Sequence, residues 1–565
     1  MVGHLSLVLE SITFLPVISL SSGSDGMLSY EDKSYDLTVT SEIIVTSESG
    51  DKLAKKKNVS FKKGYAGNNV IHVLPEAVKQ TLHGIGTSFT ESSAFVLAHL
   101  SIDKRRDLMN RIYSEQGANF SMARTVIGST DFSVEGGFSY DDVKDDKELV
   151  HFSITPDIDG FDEKEYPEIQ DNAFDILPMI KQALAIKKQQ QSSDLKIIAS
   201  AWTAPSWMKD IETWHDPGRK ENNYQGTGGV LKDGYEQYYA DYLAKYLEHY
   251  NNQGVKIWGI TPVNEPLGNN GQWESMHFSA QSQNDFIKHQ LGPTLENTGN
   301  ADVKLLMFDH NRGELEHWAE VLYNDAETSK YLSGAAVHWY ESTFKVHEDV
   351  FERVHNRFPQ YEIIHTEGTI DDLGKEAPPG VLDPDRFKES GWFDNDEFWW
   401  NDNATDWAYS VTWEGVDADD HPIYTPVHRY ARNIIVSFNH WVTGWIDWNI
   451  VLDKEGGPNH VGNFCGAPIM IDTKTQYVYY TPVFYVLSQL SRTIRPGDKV
   501  VEVVTSDDFA EGAIYSSASL NGEGRLSVQV LNTSKKPMAY HLQVGSQYAE
   551  VIIPANALQT VIIDI

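Results

Sequence analysis

Between residues 81 and 491, eight apolar runs rich in branched side chains alternate with amphipathic helical stretches. Short alternating strands flank that region on both sides. The two patterns predict an α/β chain, a (β/α)₈ TIM barrel with an attached β-sandwich built from N- and C-terminal segments. Several of the apolar runs also end in an acid, an aromatic or a polar residue, as barrel strands do where they carry a site.

The chain of 565 residues is too long for one ordinary core, and a barrel plus a smaller module fits it. A formal net charge of −35 argues against nucleic acid or anionic membrane as partners. A single cysteine, Cys465, excludes an internal disulfide framework and a multi-Cys metal site. No His-x-x-x-His or similar ligand spacing occurs, so neither a metal nor another cofactor is expected. The 15 Trp and 27 Tyr suit large cores, or a sugar-binding groove where flat rings stack on pyranose C–H surfaces.

In chain order, residues 1–26 form an extension whose Leu5–Leu20 is apolar but carries Glu10 and lacks a basic n-region, a poor secretory signal. No apolar run is long enough to span a membrane. Residues 27–80 alternate polar and apolar and read as strands of the sandwich, with Lys52–Lys57 a basic turn. The barrel, 81–491, has expected strands at His83–Phe89, Phe120–Ile127, Leu195–Thr203, Ile257–Asn264, Val303–Phe308, Ala335–Trp339, Tyr361–His365 and Val442–Trp448. The clearest helix is Tyr235–Tyr250, capped by Asp233 and followed by Gly254, its tyrosines suited to packing. Residues 492–565 lose the helical period and read as the remaining sandwich strands.

The fourth run ends in Asn264-Glu265-Pro266, where Pro266 stops the ladder and is expected to hold Glu265 extended. The seventh ends in Thr366-Glu367-Gly368. Parallel strands of a closed barrel bring both tips to one face, and two carboxylates across a pocket are what glycoside cleavage requires. Other tips carry Arg124 with Asp131-Phe132, then Trp202, His338 with Tyr340, and Trp448. Each aromatic alone suits core filling; together, on one face, they suit a polyol-binding pocket.

The chain resembles glycoside hydrolase family 30, above all its glucosylceramidase branch. The resemblance rests on Gly84-Ile-Gly-Thr-Ser-Phe-Thr-Glu-Ser-Ser, Arg124…Asp131-Phe132-Ser133, Ala199-Ser-Ala-Trp-Thr-Ala-Pro-Ser-Trp-Met-Lys, Ile260-Thr-Pro-Val-Asn-Glu-Pro, Leu305-Leu-Met-Phe-Asp, Ala336-Val-His-Trp-Tyr, Gly444-Trp-Ile-Asp-Trp-Asn and Glu455-Gly-Gly-Pro-Asn. It implies a retaining β-glycosidase on a barrel with a β-sandwich. Glu265 would be the acid/base, with Asn264 on the sugar 2-hydroxyl, and Glu367 the nucleophile, held by Arg124 and Tyr340. Asp131, Trp202 and Trp448 would grip the other hydroxyls of a terminal glucose. Phe132, His338 and Asn463 would line the pocket.

Two departures bear on the substrate. Residues 371–425 are longer than in the lysosomal glucosylceramidases and carry Trp392, Trp399, Trp400, Trp407 and Trp413, read as either an ordered lid or a leaving-group subsite. The N-terminal cysteines of those enzymes are absent. The expected activity is a glucosylceramidase-type β-glucosidase acting on a glycolipid or oligosaccharide. The alternatives are an endo-β-1,6-glucanase or β-xylosidase of the same family, or a non-enzymatic carbohydrate-binding protein, against which both glutamates argue.

Overall fold

The structure is a computed structural model and describes residues 35–190, 194–217, 227–269, 271–342, 345–370, 392–401 and 425–565. Eight parallel strands close into a barrel in chain order: Gly84–Phe89, Met122–Ile127, Lys196–Ala201, Gly259–Thr261, Lys304–Asn311, Leu332–His338, Glu362–Glu367 and Val442–Asn449. All eight expected runs are present. The fourth strand is only three residues long, because Pro262 has no N–H for the ladder. Asn264 rejoins by donating its backbone N–H to Ala201 O at 2.7 Å.

Side chains alternate along a strand, and two inward layers follow from that. Met122, Ile198, Leu306, Ala336, Ile364 and Ile446 form an apolar plug. Two residues further along the same strands stand Arg124, Ser200, His338, Thr366 and Trp448. The fifth strand breaks this spacing. Its register against the sixth slips by one at Asp309, and both Phe308 (φ 73°) and Asp309 (φ 72°) are left-handed.

The helix expected at Tyr235–Tyr250 runs Glu236–Asn252 and buries Tyr239, Tyr242, Tyr246 and Tyr250. Asp233 does not cap it; a turn from Tyr235 N–H to Lys232 O (2.9 Å) leads the chain in.

Ten strands form the second module, as one continuous sheet. Its order is Ala54–Lys56, Glu42–Ser47, Ala557–Asp564, Arg525–Asn532, Ile514–Leu520, Lys499–Thr505, Val70–Thr81, Met538–Val544, Gln547–Ile553 and Lys62–Lys63. The sheet folds over its own core, and Tyr540 Oη reaches across to Gln559 (2.8 Å). The chain ends on the strand Ala557–Asp564, and near the start of the described residues Val39 makes only a bridge to Ser60. Buried Gln489, on helix Pro482–Thr493, ties the modules by donating to Ile44 O (3.3 Å) and Leu558 O (3.2 Å). Among the described residues no helix is long and apolar enough to cross a membrane.

Trp392, Trp399 and Trp400 are buried. Trp392 Nε1 donates to Lys454 O (3.2 Å), and Trp399 Nε1 to Trp392 O (3.1 Å). These rings pack on the barrel rim beside Gly456 and Gly466. A stacking role for Trp399 and Trp400 against a leaving group is therefore corrected: neither presents a free face. Trp407 and Trp413, with the rest of 402–424, lie outside the described residues, as do 371–391 and the extension 1–26.

Candidate active site

Arg124, on the second strand, is completely buried. Its Nη2 donates to Asn264 Oδ1 (2.7 Å) and Asp309 Oδ2 (2.7 Å), its Nε to Ser200 Oγ (3.2 Å), and its Nη1 contacts Glu367 Oε2. Tyr340 Oη donates to the other Glu367 oxygen at 2.9 Å. Both oxygens of Glu367 are thus engaged from one side by a guanidinium and a phenol. Burial lifts the Glu367 carboxyl above its usual range and the Glu265 charge adds to the lift, while His338, Arg124 and Tyr340 oppose it.

Glu265 is not extended as expected. Its φ is +47°, in the left-handed region, and its own backbone N–H is fixed by Asp309 O (2.9 Å). That tertiary bond overrides the local preference set by Pro266 and turns the side chain toward His338, whose Nδ1 lies 3.1 Å from Glu265 Oε1. Burial acts upward on the Glu265 carboxyl, but the hydrogen bond from His338 and nearby positive charge outweigh it and hold the group below its usual value.

His338 was expected to line the pocket. It is instead fully buried behind Glu265, its Nε2 bound to Asp309 Oδ1 at 2.9 Å. Burial alone would push its imidazole down; the charges of Glu367 and Asp309 reverse that and raise it to about 9. The site therefore stores a proton on His338, one hydrogen bond from Glu265.

Asp309 is the residue sequence reasoning missed as a functional group. It lies at the barrel axis, wholly buried, and accepts from Arg124, Ser200 (3.0 Å), Thr261 (2.8 Å), Thr366 (2.7 Å) and His338. Those donors outweigh its desolvation and keep it ionised, far below the usual carboxylate range. A signal was present: Ser200, Thr261 and Thr366 are hydroxyls inside otherwise apolar runs, one per strand.

The remaining expected residues contact one another in two groups. Trp202 stacks on Trp448 with centroids 5.1 Å apart, and Arg124 lies 4.8 Å over the Trp202 ring. Asn463 Nδ2 donates to Asp131 Oδ2 at 3.0 Å. Phe132 is fully buried, edge-on to Trp448, so it shapes that ring rather than lining the pocket.

An oxygen of each of Glu265 and Glu367 and a nitrogen of His338 lie within 4.8 Å of one another, a spacing a cation could also use. Both His338 nitrogens are committed to carboxylates and a buried guanidinium contacts Glu367, so the donor set is already spent internally. The same closeness, one oxygen of each carboxyl within 4.8 Å of the other, suits the short-separation class of glycosidases.

A barrel with a folded sheet beside it and two facing carboxyls at strand tips defines a glycoside hydrolase. The chain belongs to glycosyl hydrolase family 30, whose TIM-barrel domain model matches residues 82–407 and 408–494. It is 29% identical to the lysosomal acid glucosylceramidase of Mus musculus over 490 residues, 86% of this chain and 82% of that protein. It is 25% identical to endo-1,6-beta-D-glucanase neg1 of Aspergillus fumigatus over 461 residues, 80% and 79% of the two chains. The fold also matches SrfJ from Salmonella typhimurium, with a TM-score of 0.73, 22% identity, and coverage of 93% of this chain and 99% of that one.

Proposed function

We propose that this enzyme is a retaining β-glucosidase of the glucosylceramidase type, with Glu367 as nucleophile and Glu265 as acid/base. The observation that carries the assignment is the asymmetry of the carboxyl pair. Of the two glutamates, Glu367 takes the hydrogen bonds of Arg124 and Tyr340, and Glu265 takes that of His338. Two donors that oppose the lift of burial and fix both oxygens make this carboxylate a basic, directed nucleophile. In the first step a Glu367 oxygen bonds to the anomeric carbon while the bond to the leaving oxygen breaks, and that oxygen takes a proton through Glu265, which draws it from the hydrogen-bonded His338 imidazolium. In the second, Glu265 takes a proton from water, whose oxygen bonds to the anomeric carbon as the ester to Glu367 breaks. Two displacements retain the β configuration.

Asn264, fixed by Arg124, stands beside the pair for the 2-hydroxyl, and Asp131, Asn463, Trp202 and Trp448 form the wall for the rest of the sugar. Tyr340 is half-exposed at the pocket, consistent with direct contact to the glycone. The endo-β-1,6-glucanase reading is kept by the similarity to the fungal glucanase. Products from glucosylceramide, an aryl β-glucoside, β-1,6-glucan and a β-xyloside decide between them. Glucose from the first two supports the glucosidase. Oligosaccharides from the glucan, with an inert glucosylceramide, overturn it.

A further inference from the structure

Glu274 and His460 belong to none of the groups above, and both face the sugar-binding wall. Glu274 is 1% exposed, on the segment that follows Glu265. One of its oxygens accepts from Ser129 Oγ (2.9 Å) and the Gly137 N–H (2.7 Å), both after the second strand. Its other oxygen is 3.3 Å from His460 Nε2, on the segment after the eighth strand. His460 Nδ1 lies 3.3 Å from Ser133 O, a carbonyl that can only accept. With a carboxylate at one nitrogen and a carbonyl at the other, His460 is satisfied only as an imidazolium. The ring lies flat on Gly136, where an added Cβ would come within 2.1 Å of it.

Three rim segments are thus fastened by one ion pair, and the ends of two of them meet as Asp131 and Asn463. We propose that Glu274 and His460 are positioning residues for sugar recognition, presenting Asp131 to the sugar as a charged acceptor against Asn463. The proposal rests on the β-glucoside reading above. Asp131 needs such help. Burial pushes its carboxyl up to about 7, and the charges of Glu367 and Glu274 push the same way, with only Asn463 and His460 opposing them. Around the pair itself, Lys209 and His215 face Glu274 from the segment after the third strand. An Asp131 that gained a proton would lose its charge-assisted hydrogen bonds to hydroxyls.

The test is the inhibition constant of glucose against an aryl β-glucoside, measured across pH for wild type, His460→Gln, Glu274→Gln and Gly136→Ala. His460→Gln and Gly136→Ala remove or displace the positive charge beside Asp131, whereas Glu274→Gln also removes a negative charge that pushes the Asp131 carboxyl up, so its effect is expected to be the smallest of the three. The expected result is about a tenfold weaker glucose binding near pH 6, the consequence of a one-unit rise in the Asp131 carboxyl, shrinking toward nothing above about pH 9. The kcat is expected to stay within about twofold, since neither residue touches the reacting atoms. In an Asp131→Asn background, His460→Gln is expected to change nothing further. A loss that is the same at every pH, or that adds fully to Asp131→Asn, overturns the inference and leaves the pair a structural clasp. Wild-type protein that cleaves no aryl β-glucoside refutes the substrate reading instead, so the two failures are distinct.

Discussion

Asp309 gathers two cations and three hydroxyls around one carboxylate, with no solvent at hand. Replacing it by asparagine removes one of the two charges, its own and that of Glu367, that support the His338 imidazolium. The His338 proton is then lost at a pH below about 9, and the alkaline limb of kcat/KM on an aryl β-glucoside moves down with it. A limb that stays in place in Asp309→Asn would detach His338 from proton delivery. Glu367→Gln is expected to abolish turnover of every substrate, because a neutral amide does not attack the anomeric carbon. Glu265→Ala is expected to spare substrates with good leaving groups and, with azide, to give a β-glycosyl azide. An α-azide would exclude double displacement.

At the scale of elements, the barrel strands were legible because each is a short apolar run with a chemically distinct tip. Asp131, Trp202, Asn264, Tyr340 and Trp448 stand out in the sequence for the same reason, as polar or aromatic residues at the ends of such runs. Asp309 was not, since its inward place depends on one extra residue in the fifth strand and two left-handed backbones, which no pleat count reveals. The left-handed turn at Glu265 was hidden likewise, being imposed by a carbonyl on the neighbouring strand. The tryptophans of the 371–425 insertion announced themselves by composition, but composition does not say which side of a ring is covered. Trp399 is 1% exposed, so Trp399→Ala is expected to cost about 3–5 kcal/mol of stability. Its melting temperature falls, and kcat/KM drops by the same factor on aryl and lipid glucosides. A loss confined to the lipid substrate, at unchanged melting temperature, would restore the subsite reading.

Across the whole molecule, the strand Val70–Thr81 belongs to the sheet module and ends three residues before the first barrel strand begins at Gly84. Lys79 and Gln80 on it bond to Asn439 O, Phe438 O and Val442 O of the barrel. A strand of the sheet module is bonded to the barrel, so the two are expected to melt in one calorimetric transition, and residues 82–494 expressed alone to be insoluble. Two resolved transitions would show independent folding. The way the sheet is knit also has a cost in time. Glu42–Ser47 pairs along its full length with Ala557–Asp564, which lies more than 500 residues later in the sequence. A ribosome adding about 5–20 residues each second needs roughly 25–100 s to supply that partner. Throughout that interval the early strands are open edges of unpaired backbone N–H and C=O groups, the kind of surface that recruits other nascent chains or a chaperone. Yield in the cell is then governed by how those edges are sheltered until the partner strand arrives, a property that no measurement on the finished enzyme would disclose.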